Sequence, residues 1–124
     1  MTTFDAATLA AIDREREVDI ETRAWPQAPA HRVVIWVVVD DGEVLIRSWR
    51  GDRGRWYREV VAWPEATLHV ANTPLPVRAV AVDEAGIARC SRGLERRYAG
   101  DPALASMLGP DVLPTTLRLE PRDA

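Results

Sequence analysis

Twelve residues, Arg47 to Arg58, carry five arginines against a single acid, Asp52, in a chain of 124 residues with a net charge of −3. The segment reads Arg47-Ser48-Trp49-Arg50-Gly51-Asp52-Arg53-Gly54-Arg55-Trp56-Tyr57-Arg58. It combines guanidinium forks, a hydroxyl, two glycines and flat aromatic faces. Arginine meets phosphate oxygens bidentately, glycine lets backbone N–H groups approach an anion, and an aromatic ring covers a heterocycle. The pattern therefore suits a phosphorylated, ring-bearing ligand. The competing reading is a solvated loop whose arginines pair with the excess carboxylates.

Other chemistries are restricted by composition. All sixteen cationic side chains are arginine, which excludes a lysine Schiff base and the lysine of a Walker-type phosphate loop. One cysteine, Cys90, precludes an internal disulfide, and with only His31 and His69 beside it a cysteine–histidine zinc site is not expected. No metal is assigned. Tyr57 and Tyr98 are the only phenols; each is a candidate proton donor, although tethering a helix from a buried position is the commoner use of tyrosine. His31, next to Arg32, is a candidate addition to an anion site. The acidic run Asp13, Glu15, Glu17, Asp19 and Glu21 crosses a helix–strand junction and reads as a solvated face. No catalytic residue is assigned.

These residues need elements to hold them. Asp5 is a candidate N-cap with Phe4 and Leu9 flanking it, so a first helix is expected from about Ala6 to Arg16. Val18 and Ile20 alternate with Asp19 and Glu21, giving a first strand through Arg23. The apolar run from Val33 to Val39 predicts one central strand covered on both faces. Asp40-Asp41-Gly42 predicts a hairpin turn, with the return strand Glu43 to Trp49 delivering the arginine segment. Arg55 to Ala62 reads as a helix, with Trp56 and Val60 one turn apart, closed by Pro64. A second hairpin, Thr67 to Ala71 and Val77 to Val82, is expected around an exposed turn Asn72-Thr73-Pro74-Leu75-Pro76. Asp83 or Glu84 opens a longer helix to about Tyr98, a short helix follows Asp101-Pro102 through Leu108, and Thr115 to Leu119 is a last strand.

The length suits one domain, so a large ligand is expected in a surface groove or between subunits. The organisation expected is a single domain over residues 1–124, with a helix at 5–17, a barrel at 18–82, a helical segment at 84–108 and a last strand at 115–119. Hairpins too short for crossovers make the fold class α+β, a six-stranded antiparallel split β-barrel with short flanking helices. No apolar run approaches the ~18 residues of a membrane span and no leader is evident, so a cytoplasmic protein without membrane partners is expected. The acidic balance argues against nucleic acid as a partner.

The run Arg32-Val33-Val34-Ile35-Trp36-Val37-Val38-Val39, the turn Asp40-Asp41-Gly42, the segment Val44-Leu45-Ile46-Arg47-Ser48, the helix opening Arg55-Trp56-Tyr57 and the close Thr115-Thr116-Leu117-Arg118-Leu119-Glu120-Pro121-Arg122 resemble the FMN-binding split β-barrel superfamily. The likeness covers most of Val18 to Arg122. Within that superfamily it is nearest to a small family of unknown function related to deazaflavin-dependent nitroreductases and, more distantly, to pyridoxamine-phosphate oxidases.

The resemblance implies a homodimer with a flavin (FMN) or deazaflavin coenzyme at its interface. It implies Arg47, Ser48, Arg50, Arg53 and Arg55 as phosphate ligands, Trp56 and Tyr57 at the opening of the neighbouring helix, and Arg32 as a further basic residue. Hydride transfer would then belong to the cofactor ring, making the chain an oxidoreductase. Two alternatives stay open: a binding module for a phosphorylated metabolite or haem-like anion without turnover, and an arginine–tryptophan loop that stacks on single-stranded nucleic acid. On the first reading, Arg47→Ala with Arg53→Ala is expected to abolish cofactor binding and leave the fold intact.

Overall fold

A computed structural model of the chain describes residues 3–123. The elements are helix α1 (Ala6–Arg14), strands β1 (Val18–Thr22), β2 (His31–Ile35), β3 (Val38–Asp40) and β4 (Glu43–Ile46), helix α2 (Arg55–Ala62), strands β5 (Glu65–Val70) and β6 (Thr73–Ala81), helices α3 (Glu84–Arg97) and α4 (Leu104–Met107), and strand β7 (Leu117–Pro121). All pairings are antiparallel, in one sheet of order β2-β1-β5-β6-β7-β4-β3. This is an α+β fold.

The sheet has seven strands where six were expected, because the apolar run Val33–Val39 is two strands and not one. They lie at opposite edges of the sheet. Only Trp36 and Val37 separate them, so Ile35 and Val38 stand three Cα steps apart, at most roughly 11 Å. Two edges of one sheet joined by so short a link require the sheet to curl until its ends nearly meet. Since β2 pairs with β1 alone and β3 with β4 alone, hydrogen bonding does not close the seam. The result is a split barrel.

Tyr98 explains the break. Its hydroxyl, with no solvent exposure, accepts from the Val37 N–H (3.0 Å) and donates to Arg16 O (2.6 Å), with Val37 O at 3.2 Å as an alternative. The Val37 backbone is therefore satisfied by a side chain 61 residues away and has no need of a strand partner. The central-strand expectation also fails for exposure: Val33 and Val34 are 42% and 54% exposed.

Both tight hairpins use two-residue turns with positive φ, Asp41-Gly42 (49° and 77°) and Ala71-Asn72 (47° and 70°). The second displaces the expected turn, for Thr73 to Pro76 belong to β6. These residues pair with β5 only, since the β7 ladder begins at Val77. Pro76 O accepts from Arg122 N, just beyond β7, so its amide side faces away from β5 and the absent N–H breaks no β5 bond. Strand β4 ends at Ile46 and not Trp49, and β7 runs two residues later than expected.

One core fills the barrel, with Val44 and Ile46 of β4, Ile20, Leu68, Val77 and Leu119 from other strands, Ile12 of α1, and Trp56 and Val60 of α2. A second core lies outside it. There Leu45 and Val38 meet Cys90, Leu94 and Tyr98 of the α3 region and Met107 of α4. Asp83 caps α3 by accepting from the Gly86 N–H at 2.9 Å. Gly93 lets α3 approach β3, because a Cβ there would stand 2.2 Å from Val38 Cγ1.

Candidate functional site

Arg47 continues the outer face of β4 toward α3 and α4, where the residue is 2% exposed. Nε donates to Thr116 Oγ1 (2.9 Å), Nη1 to Ser91 Oγ (3.0 Å) and Met107 O (2.9 Å), and Nη2 to Ile87 O (2.9 Å). Four of its five N–H groups are thereby engaged by neutral oxygens, and no carboxylate pairs with it among the described residues. Burial pushes its pKa down, partly offset by the neighbouring Cys90. The same burial pushes the Cys90 thiol up to about 11, Arg47 opposing the shift, so the thiol stays neutral near pH 7.

Ser48 is also buried. Its hydroxyl donates to Gly51 O (2.7 Å) and its N–H to Thr115 Oγ1 (3.0 Å). These bonds fold the segment into a 3-10 turn over Gly51–Arg53. Gly51 takes φ 64° there, and a Cβ on Gly54 would stand 2.4 Å from Ser48 Oγ. Both glycines are therefore required by the turn itself. Gly54 caps α2 without a side chain, leaving the first N–H groups of that helix unengaged by any cap.

The other predicted side chains divide between two cavities that share Trp49 and Arg50. The first is a groove of about 580 Å³ reaching from β2 to the start of α2 and to α4; its lining includes Arg32, Arg47, Ser48, Arg50, Arg55 and Trp56 together with Trp36, Trp49 and His31. Six consecutive residues, His31 to Trp36, line it. Side chains alternate across a strand, so the groove runs along the free edge of β2. The second, about 540 Å³, takes Arg53 and Tyr57, with Asp52 and Asp111 also on its walls.

Charge pairing differs among the arginines. Arg32 Nε donates to Asp19 Oδ2 at 2.7 Å, and Arg55 Nε reaches Glu59 Oε2 at 3.5 Å. Arg50 and Arg53 are exposed and have no acidic partner among the described residues. Trp49 is 61% exposed over the groove. Trp36 lies stacked on Tyr98 (centroids 3.9 Å apart, planes within 4°), and Trp56 meets Tyr57 edge-on at 6.2 Å.

Residues 8–119 match the family described as "Uncharacterized protein conserved in bacteria (DUF2255)". The chain belongs to that family. No functionally curated protein matches it. Among solved structures it is similar to the heme storage protein HutZ of Vibrio cholerae (12% identity, TM-score 0.67, 96% of this chain and 91% of the other). It is similar to a pyridoxamine 5′-phosphate oxidase-like protein of Listeria innocua (13%, 0.68, 94% and 92%) and to the F420-H2 dependent reductase FDR-A (16%, 0.67, 86% and 94%). At these identities the likeness establishes the split-barrel fold, as the sequence resemblance implied.

Sequence reasoning did not place Trp36 at the groove, left Trp49 open as one of the aromatic faces of the arginine segment, and did not single out Glu59. Trp36 sat in a run that read as buried strand. Glu59 had one legible signal, its position four residues after Arg55 on a helix.

Proposed function

We propose that the chain binds a phosphorylated, ring-bearing cofactor of flavin or deazaflavin type in the groove beside β2 and acts as a homodimeric oxidoreductase. The observation that carries this reading is the meeting of three tryptophans, Trp36, Trp49 and Trp56, with Arg32, Arg50 and Arg55 around one cavity of about 580 Å³. The residues fit such a group. Flat rings suit a tricyclic heterocycle, Arg50 has no acidic partner among the described residues to compete with a phosphate, and the start of α2, without a side-chain cap, offers N–H groups to the same anion. The bound ring would supply hydride transfer, while the chain binds, orients and excludes water. Arg47 and Ser48 act beneath this site, holding the arginine turn against α3, α4 and the turn before β7; Arg53 and Tyr57 extend it toward the second cavity. The exposed Val33 and Val34 on the unpaired edge of β2, which also line the groove, are the surface proposed for the second subunit.

A second reading, capture of a planar anion without turnover, is favoured by one feature. No phenol lines the groove: Tyr98 is wholly buried and bonded to backbone, and Tyr57 lines the other cavity. The fold neighbours include both a reductase and a heme storage protein. Titration of the purified protein with flavin mononucleotide and with the deazaflavin coenzyme, followed by fluorescence and melting temperature, tests the proposal. Saturable binding that is lost in Arg50→Ala/Arg55→Ala is expected. Absence of binding by either compound overturns it, and binding of haem alone selects the second reading.

A further inference from the structure

His31 opens β2 opposite Thr22 of β1 and lines the groove, while its Nδ1 is sealed from solvent. The acid that faces this buried nitrogen is Glu59 of α2, Oε2 to Nδ1 3.3 Å, outside ideal hydrogen-bond alignment. The terminal torsion of an imidazole is soft, so the ring can turn toward Oε2 at little cost. Glu59 is itself held: Thr22 Oγ1 donates to Oε1 at 2.8 Å, and Arg55 Nε approaches Oε2. Its side chain is 12% exposed and contributes nothing to the groove lining. The carboxylate therefore stands behind the ring, while the ring itself borders the cavity.

A carboxylate behind one imidazole nitrogen fixes the tautomer of the other. With Nδ1–H directed at Glu59, neutral His31 presents Nε2 as a lone-pair base. We propose that His31 is the proton-exchanging group of the groove and that Glu59 is its positioning residue. This rests on the reading of the groove as a ligand site. The ligand class it adds is a molecule bearing an exchangeable proton, an acidic N–H or O–H, on the part that reaches β2. Nε2 takes that proton, the bonding pair stays on the ligand heteroatom, and Glu59 balances the imidazolium; the reverse step returns the proton. The other charges around the ring are already disposed: Arg55 leans on Glu59, Arg32 on Asp19, and Glu21 on His69 and Arg23.

The chain has two histidines, so long-range proton–nitrogen correlation spectra of the imidazoles are readily assigned with His69→Gln. Neutral His31 is expected as the Nδ1–H tautomer, and Glu59→Ala is expected to shift it toward Nε2–H. A wild-type ring already in the Nε2–H form, or one indifferent to Glu59→Ala, overturns the inference. Calorimetric titration with flavin mononucleotide, in buffers of different ionisation enthalpy, then reads protons exchanged on binding. A buffer-dependent heat that disappears in His31→Gln is expected. Binding with the same proton count in His31→Gln overturns this inference alone, whereas no binding of flavin or deazaflavin removes the groove reading and this one with it.

Discussion

Arg47 shows how the same residue type serves opposite purposes a few positions apart. Its neighbours Arg50 and Arg53 face solvent without acidic partners, while its own N–H groups close four contacts among β4, α3, α4 and the turn before β7. The sequence expectation that Arg47→Ala would spare the fold is accordingly replaced. Hydroxyls can rotate to new partners, but Met107 O and Ile87 O cannot, so Arg47→Met is expected to cost about 3 kcal/mol, or roughly 10 °C in Tm. Arg50→Ala is expected to leave Tm unchanged and to weaken flavin binding about tenfold, the loss of one charge-assisted contact.

Cys90 gives a pH signature. Its folded pKa is raised from 9.0 to about 11, so above pH 9 the unfolded chain sheds a proton that the folded chain keeps. Stability from this group is whole below pH 9 and is lost progressively as pH rises from 9 toward about 11. Denaturant melts between pH 8 and 10.5 should show a shallower loss in Cys90→Ala than in the wild type.

Among elements, the α3–β3 contact depends on a residue defined by what it lacks. Gly93 weakens a helix by propensity, yet its missing Cβ is what admits Val38. Gly93→Ala is expected to destabilise the fold by about 1–3 kcal/mol despite its better helix propensity. In the double variant with Val38→Ala the two costs should not add, and urea melts of the four proteins measure the coupling. Helix α2, by contrast, was legible over its observed length: Trp56 and Val60 are buried one turn apart, and Pro64 follows. The turn at Ala71-Asn72 was not legible, because alanine rarely takes positive φ and the prolines beyond it looked like loop.

At the scale of the molecule, the curl of the sheet brings chemistry together that no strand pair could. The groove joins the β2 edge to the α2 start and to α4, elements far apart in the chain. The open edge of β2, with Val33 and Val34 exposed, is where the proposed dimer would form. Val34→Lys is therefore expected to convert a dimer to a monomer in sedimentation analysis and to weaken flavin binding with it. A wild-type monomer at all concentrations would remove the dimer from the proposal.

By itself the sequence determined the element types, the antiparallel class and the cationic turn, because apolar periodicity, turn residues and the clustering of arginine are local properties. It also carried enough of the split-barrel pattern for the fold to be recognised. Tertiary structure decided the seventh strand, the burial of Arg47 and the company that His31 keeps. Each of these turns on a partner dozens of residues away: Tyr98 for Val37, α3 and α4 for Arg47, Glu59 for His31. A run of valines encodes the tendency to be extended, but which of them meets water is settled only when the sheet curls and its two edges come to lie side by side.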